Sequence, residues 1–557
     1  MVRTVLAVLL ALQQCACQYE NRRDGAKFAA FDSVRGVADA GGATLRLGPA
    51  VKHGAPLLRG DREWEPRIDN GYPNALYDRV LKKYRLWYDC CVKVADASIC
   101  RSSDLTGTLY AESDDGLRWR KPDLGLVAWP PGGGSASSRA NNVVLLGTHG
   151  LGVFEDTNPA TPKSRRFKAV GRMHGGGGGT LTSRDGLRWS RPRPAEWRPA
   201  PRWDTHSNAF WDRSRKAYAL FARGPSAGDG AALNRTVARA EARSWGGPYS
   251  KSKIVSAGAR KTEQVYAQLV FPFYSAYLGL VVRYDGDAAF DKDGGIKRAK
   301  DKSRCQLAWS PDTKRWFPLV DGGGGGRDLI PLGKRGSPDA YDCYPSKPIA
   351  DPETKATKIF YFGGDGPHFG ARNSTLLLAT LPPDGFAGLA AGGAARKITT
   401  HPLRCGGRTP ALTATVAGRG GGGGGRIRAR VLRADGKTPV RGLGFDASTP
   451  VLRDAVDEPL AWRPSAGAAP VPDVCVLQFE IRDAVLYTFG FAATARAPAA
   501  PAPPPGEWVA LRRLALGVLR LWTVLAATTL SALAARSAAA RACACLGSTR
   551  RKAGGAS

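Results

Sequence analysis

Asn74-Ala-Leu-Tyr-Asp78-Arg-Val-Leu-Lys82-Lys-Tyr84 decides the fold, because it recurs as Asn208-Ala-Phe-Trp-Asp212-Arg-Ser-Arg-Lys216-Ala-Tyr218. Each copy reads as a short apolar strand, an Asp-led polar turn and a second aromatic-rich strand, which is a β-hairpin. Looser copies run from Val153-Phe-Glu-Asp156 to Arg166-Phe167-Lys168 and from Ile349-Ala-Asp351 to Lys358-Ile-Phe-Tyr361. Asp suits the turn because its side chain bonds its own backbone. A second element alternates with the first. Ser113-Asp-Asp115-Gly-Leu-Arg-Trp119 returns as Ser183-Arg-Asp185-Gly-Leu-Arg-Trp189 and, degraded, as Ser310-Pro-Asp312-Thr-Lys-Arg-Trp316. Asp-Gly makes a tight hairpin turn and the Trp packs beside it.

Hairpin followed by hairpin, over roughly 60–75 residues, is the grammar of a four-stranded propeller blade with long loops. Five such units are expected, with first strands beginning near Asn74, Asn142, Asn208, Val265 and Tyr344. Glycine runs at 175–179 and 322–326 read as loop inserts. An open array would leave sheet edges bare, so closure into a ring is expected. The competing architecture is an irregular β-sandwich. Beyond the repeat, Arg426–Leu432 and Cys475–Ile481 alternate apolar and polar residues, as half-buried strands do. The expected fold is therefore all-β: a five-bladed β-propeller over 61–390, then a jelly-roll-like β-sandwich over 396–492. Residues 18–60 form a lead-in that can add strands.

The ends differ in kind. Residues 1–17 have the order of a secretory signal: Arg3, the apolar run Thr4–Leu12, then small residues at Cys15 and Cys17. A buried N-terminal helix is the bland alternative. Residues 493–510 are an Ala/Pro-rich linker. Residues 511–536 are a candidate transmembrane helix, apolar from Leu514 to Ala535 except for Arg520, and 537–557 form a basic tail. A surface amphipathic helix competes with the span, and either would bring the chain to a membrane.

Secretion changes how the cysteines read. Cys90, Cys91, Cys100, Cys305, Cys343, Cys405 and Cys475 show no CxxC pair and no zinc spacing, so no metal site and no cofactor is expected. Disulfides are the better reading: Cys100 with Cys90 or Cys91, Cys305 with Cys343, and Cys405 with Cys475. Asn234-Arg-Thr and Asn373-Ser-Thr are glycosylation sequons. The formal charge of +33 is spread along the chain, with no tract of five basic residues and no nucleic-acid motif, so nucleic acid is not an expected partner.

The blade segment Tyr110-Ala-Glu-Ser-Asp-Asp-Gly-Leu-Arg-Trp-Arg-Lys-Pro122 and the closing run Ile481-Arg-Asp-Ala-Val-Leu-Tyr487 give the chain a resemblance to glycoside hydrolase family 32, with family 43 as a propeller relative. The likeness covers roughly residues 60–492. It implies a carbohydrate partner, no cofactor and acids at three blade mouths. Where family 32 carries Asn-Asp-Pro-Asn-Gly, this chain has Ile68-Asp69-Asn70-Gly71, which retains one acid. The Arg-Asp-Pro position offers Asn141-Asn142, and the Glu-Cys position offers Trp203-Asp204-Thr205-His206. Invertase activity is not implied.

The repeat sorts the carboxylates. Asp78, Asp156, Asp212 and Asp351 follow first strands and are expected to hold turns; Asp115 and Asp185 belong to outer hairpins. Asp69, Asp204, Glu263 and Asp342 precede first strands, where they would ring one mouth of the channel. Glycosidic cleavage needs two flanking carboxylates, one protonated and one ionised. Crowding acids in a cleft separates their pKa values. The catalytic candidates are therefore these four, with Asp69 as nucleophile or base, Glu263 as acid and Asp204 as stabiliser. Capping strands or binding sugar hydroxyls is their structural alternative. Asn70, Tyr72, Asn142, Trp203, His206, Tyr266, Tyr341 and Tyr344 flank the same mouth and are candidate sugar contacts.

Two functions compete: a glycoside hydrolase, and a catalytically silent carbohydrate-binding propeller in the secretory pathway, extracellular or lumenal. A sialidase is a third, since the Ser-x-Asp-Gly-x-x-Trp turns have the form of an Asp-box, but that class calls for six blades.

Overall fold

The computed structural model describes residues 27–92, 106–131, 137–225, 235–258, 263–285, 301–322, 324, 326–369, 372–417 and 424–492. The signal, the linker, the candidate membrane segment, Cys100 and Asn234 lie outside the described residues. The described chain is all-β, with one short 3-10 turn at Lys163–Arg165. Among the described residues no helix is long and apolar enough to cross a membrane.

The repeat builds up-and-down antiparallel sheets. The first sheet runs Asn74–Asp78, Lys83–Cys91, Thr106–Ser113, Val143–Leu146; the second runs Thr148–Glu155, Phe167–Met173, Gly178–Ser183, Arg193–Pro194. The third runs Asn208–Asp212, Ala217–Arg223, Thr236–Ala242, Lys253–Ala257. The fourth starts Gln264–Phe273, Ala276–Tyr284, Ser303–Ser310, with short outer strands at Phe317–Leu319 and Asp328–Ile330. It touches the fifth through the single parallel pair Ser303 and Asp342. The fifth has a broken first strand, Asp342–Pro345 and Ile349–Ala350, then Thr357–Gly364, Ser374–Leu381 and, from upstream of the repeat, Val51–Lys52. One expectation is corrected here. Residues 143–146 pair with Thr106–Ser113 as the last strand of the first sheet, so the second sheet begins at Thr148 and not near Asn142.

First strands follow one another in cyclic order. Asn74–Asp78 lies beside Thr148–Glu155, that strand beside Asn208–Asp212, and that one beside Gln264–Phe273; Ile349–Ala350 returns to Asn74–Asp78. Residues of all these strands, among them Leu76, Phe154, Trp211, Phe271 and Ile349, line a single pocket.

The recurring Asn is a brace. Asn208 Nδ2 donates to Gln268 O at 2.7 Å while Val270 N donates to Asn208 Oδ1 at 3.1 Å. Asn74 makes the same pair one sheet earlier, with Leu151 O at 2.6 Å and Val153 N at 2.9 Å. Each brace satisfies two backbone groups that the neighbouring strand cannot pair itself. The turn Asp ties sheets together at the opposite end. Asp212 accepts from Ser214 N and Arg215 N in its own turn and from Tyr277 OH of the next sheet at 2.6 Å. Asp156 takes Tyr218 OH at 2.7 Å, and Asp351 takes Tyr84 OH at 2.8 Å. The outer hairpins share one wiring: Gly116 N donates to Ser113 Oγ, Leu117 N and Arg118 N to Asp115 Oδ1, and Trp119 Nε1 to Gly116 O. Residues 183–189 repeat it bond for bond.

Behind the repeat lie two further sheets with a shared core that includes Phe28, Leu412, Leu486 and Phe489 from one and Ile398, Ile427, Val431 and Phe479 from the other. Strand Arg426–Arg433 shows why: Ile427, Ala429 and Val431 are buried, while Arg426, Arg428 and Arg430 point outward. The lead-in strands Lys27–Ala29, Val37–Asp39 and Thr44–Leu47 all pair within these sheets, as does Ala387–Ala391, which straddles the expected boundary at 390. Contact with the repeat falls on the first turn of the fourth sheet. Ala29 N donates to Ser275 Oγ, Arg35 to Ser275 O and to Pro311 O, and Tyr274 OH to Asp384. That turn has lost its Asp because its backbone docks the lead-in. The starts of the first strands, where the acids gather, lie at the other end.

Two disulfides join Cys305 to Cys343 and Cys405 to Cys475. Cys91 is disulfide-bonded, and Cys90 is a buried free thiol.

Candidate functional site

Each sheet sends one ring to the axis. Tyr72 from the loop before the first sheet packs edge-on against His149 at 5.2 Å and against His206 at 5.5 Å. It meets Tyr344 at 6.2 Å, and Tyr344 meets Tyr266 at 5.8 Å. Edge-to-face packing at these separations is favourable for aromatic rings. Asn70 Nδ2 donates to Tyr72 OH at 2.8 Å and Tyr266 OH at 2.9 Å, and Tyr344 OH shares a 2.7 Å bond with His368 Nδ1. These groups form a floor. Tyr72, Tyr266, Tyr344 and His206 are all buried. Burial drives the Tyr72 and Tyr344 hydroxyls well above the ordinary tyrosine value and takes His206 down to about 3.

Above the floor, Asp69 and Asp204 reach solvent, with 31% and 33% of their side chains exposed. Arg372 Nη2 lies 2.5 Å from Asp69 Oδ1 and Arg67 Nη2 lies 3.2 Å from the same oxygen. Arg223 Nη1 pairs with Asp204 Oδ2. Arg372 also reaches Asn70 Oδ1 at 2.6 Å and, through Nε, Asp342 at 3.4 Å. Asp342 is 1% exposed, and burial outweighs Arg372 to push its carboxyl up to about 7.

His149 is the residue that the sequence reading missed. It opens the second sheet, keeps 21% of its side chain exposed and stands 3.8 Å from the buried carboxylate of Asp89. Burial lowers its pKa. Asp204, whose backbone the ring bonds, and Asp69, which lines the same small cavity as His149, pull the other way, while Arg172, its cross-strand partner, adds to the lowering. Asp89 is carried up to about 8 by burial against the bonds from Gly150 N and Thr108.

Of the four acids expected to converge, Asp69, Asp204 and Asp342 do so; Glu263 does not. It stands beside Arg283 of the sheet's second strand, which donates to its carbonyl at 3.2 Å and feels its charge. Asn142 is also away from the mouth. It is 1% exposed, accepts from Trp64 Nε1 at 2.6 Å and donates to Tyr88 OH and Tyr110 O inside the first sheet. Trp203 is buried against Trp197 at 5.0 Å and serves sheet packing. Tyr341 remains half-buried on a groove that runs out past Arg67, Arg372 and Asp365. Among the described residues, no group of three or more His, Cys, Asp or Glu side chains is placed to hold a metal ion.

No family model and no curated sequence matches the chain. Solved structures do. An N-acetylgalactosamine deacetylase from F. plautii is 14% identical, over 60% of this chain and 95% of that one, with a TM-score of 0.39. A glycosyl hydrolase from Bacteroides ovatus is 12% identical, over 60% and 94%, also at 0.39. A glycoside hydrolase family 130 structure, from a family described as containing hydrolases that target β-1,2 mannosidic linkages in Candida mannan, is 13% identical, over 60% and 94%, at 0.38. Scores this low settle no chemistry, which stands on the residues of the mouth.

Proposed function

We propose that the five repeat sheets are the blades of a five-bladed β-propeller, and that its mouth binds carbohydrate. The supporting observation is the gathering of Asp69, His149 and Asp204, from the loop before the first sheet, the first strand of the second and the loop before the third, around the aromatic floor. Sugars present arrays of hydroxyls over C–H faces. Carboxylate and guanidinium groups fixed against each other bind such hydroxyls as paired acceptors and donors. The disulfides suit an oxidising compartment, and with the N-terminal signal pattern they support placement in the secretory pathway.

Binding without cleavage is the reading that the geometry favours. Hydrolysis needs a carboxyl that hands a proton to the leaving oxygen. Asp69 and Asp204 each accept from guanidinium groups, and Asp342, the member of the three with a raised pKa, lies beneath the surface. Glycoside hydrolysis, with Asp69 as base or nucleophile, is the second reading. It draws on two solvent-reaching acids, Asp69 and Asp204, with Asp69 in the same cavity as His149. A glycan array and an aryl glycoside panel, run on the full chain and on Asp69→Asn, separate the two. Binding that the variant loses, with no turnover, is expected. Turnover abolished in the variant would establish the second reading, and a blank on both assays would remove the carbohydrate assignment.

A further inference from the structure

The mouth continues into a groove of two adjoining hollows that share Arg67, Asp365 and Arg372, with Arg59 lining one and Arg335 the other. Four arginines line it against two acids, Glu65 and Asp365. Glu65 is buried and ion-paired to Lys121. Asp365 accepts from Asn373 N at 2.7 Å and from Asn373 Nδ2 at 3.0 Å. Asp69 carries two guanidiniums at once. Arg59 and Arg335 are exposed at the groove's open side. A further guanidinium, Arg235, is buried over the Tyr266 and Tyr284 rings at 5.3 and 4.8 Å, and its Nε has no hydrogen-bond partner among the described residues. The cationic field is felt at His368, whose pKa burial lowers first and Arg372, Arg235 and Arg67 lower further. A recess with this surplus concentrates anions. Arginine forks match the planar oxygens of a carboxylate and also hold sulfate.

We propose that this groove takes an acidic sugar, a uronate or a sulfate ester, so that the glycan bound at Asp69 is anionic at an adjoining unit, with Arg59 and Arg335 gripping the charged group. The inference rests on the carbohydrate reading above.

Calorimetric titration of the full chain with oligogalacturonate, a sulfated oligosaccharide and a neutral mannooligosaccharide, at low and moderate salt, tests it. The accompanying variant is Arg59→Gln/Arg335→Gln, both substitutions at exposed positions, with its melting temperature measured alongside. One acidic ligand is expected to bind at least tenfold tighter than the neutral one, to weaken with salt, and to lose about tenfold in the double variant. Which acidic ligand wins identifies the group. Equal affinity for the neutral ligand, or an unchanged double variant that melts normally, overturns the acidic-sugar assignment and leaves carbohydrate binding standing. Failure of all three ligands together with a blank array overturns both.

Discussion

Arg372 Nη2 lies 2.5 Å from Asp69 Oδ1 although 303 positions separate the two residues, so the last repeat sheet clamps the loop that enters the first. The same guanidinium reaches Asn70 and Asp342, and Asn70 in turn holds the Tyr72 and Tyr266 hydroxyls. The contact between the last repeat sheet and the first thus shares one side chain with the candidate site. A mouth built this way is rigid before any ligand arrives, which lowers the ordering cost of binding.

Asn208→Ala is expected to destabilise the chain by about 2–4 kcal/mol, because it strands Gln268 O and Val270 N in a buried seam between sheets. Chemical denaturation of the variant reads this directly. A loss below about 0.5 kcal/mol would mean that the brace is incidental.

Burial holds the Asp89 carboxyl up at about 8, above its ordinary value of 3.8. Between those values the unfolded chain releases a proton that the folded chain retains. Asp89 therefore makes stability fall as pH rises from about 4 to about 8. Asp89→Asn removes that titration, and its melting temperature should decline less over this interval than that of the parent. An identical slope in both proteins would contradict the assignment.

Glu263→Gln should leave glycan affinity within about twofold of the parent, since the side chain acts on Arg283 and Asp285 and not on the Asp69 cluster. A loss of tenfold or more, measured on the same array ligand, would return Glu263 to the site.

The repeat was legible where one residue type does an irreplaceable job. Only Asn both donates to and accepts from a neighbouring strand in the way Asn74 and Asn208 do, and the Ser-x-Asp turns need each of their oxygens. The start of the second sheet was misplaced because its first strand meets the third sheet through glycine. A side chain at Gly150 would come within 2.3 Å of Thr205 O, and one at Gly152 within 2.1 Å of Ser207 O, so the strand keeps close backbone approach and loses the Asn-Ala signature. His149 went unseen with it. Glu263 misled for a different reason. Facing is set by strand register, and the first strand of the fourth sheet bulges between Val265 and Ala267, which no pattern of residue types announces. The pairings expected for Cys305 with Cys343 and Cys405 with Cys475 are present, and the choice left open between Cys90 and Cys91 falls to Cys91, because neighbours on one strand face opposite sides.

The most direct test of the account is the affinity of one array-positive glycan for three proteins: the parent, Asp69→Asn and Asp204→Asn, each checked for an unchanged fold. Asp69 and Asp204 stand in the loops that enter two different sheets and both reach solvent at the mouth, so each substitution should weaken binding by roughly tenfold or more. Parent-like affinity in both variants would place the sugar elsewhere on the molecule and refute the mouth as its binding site.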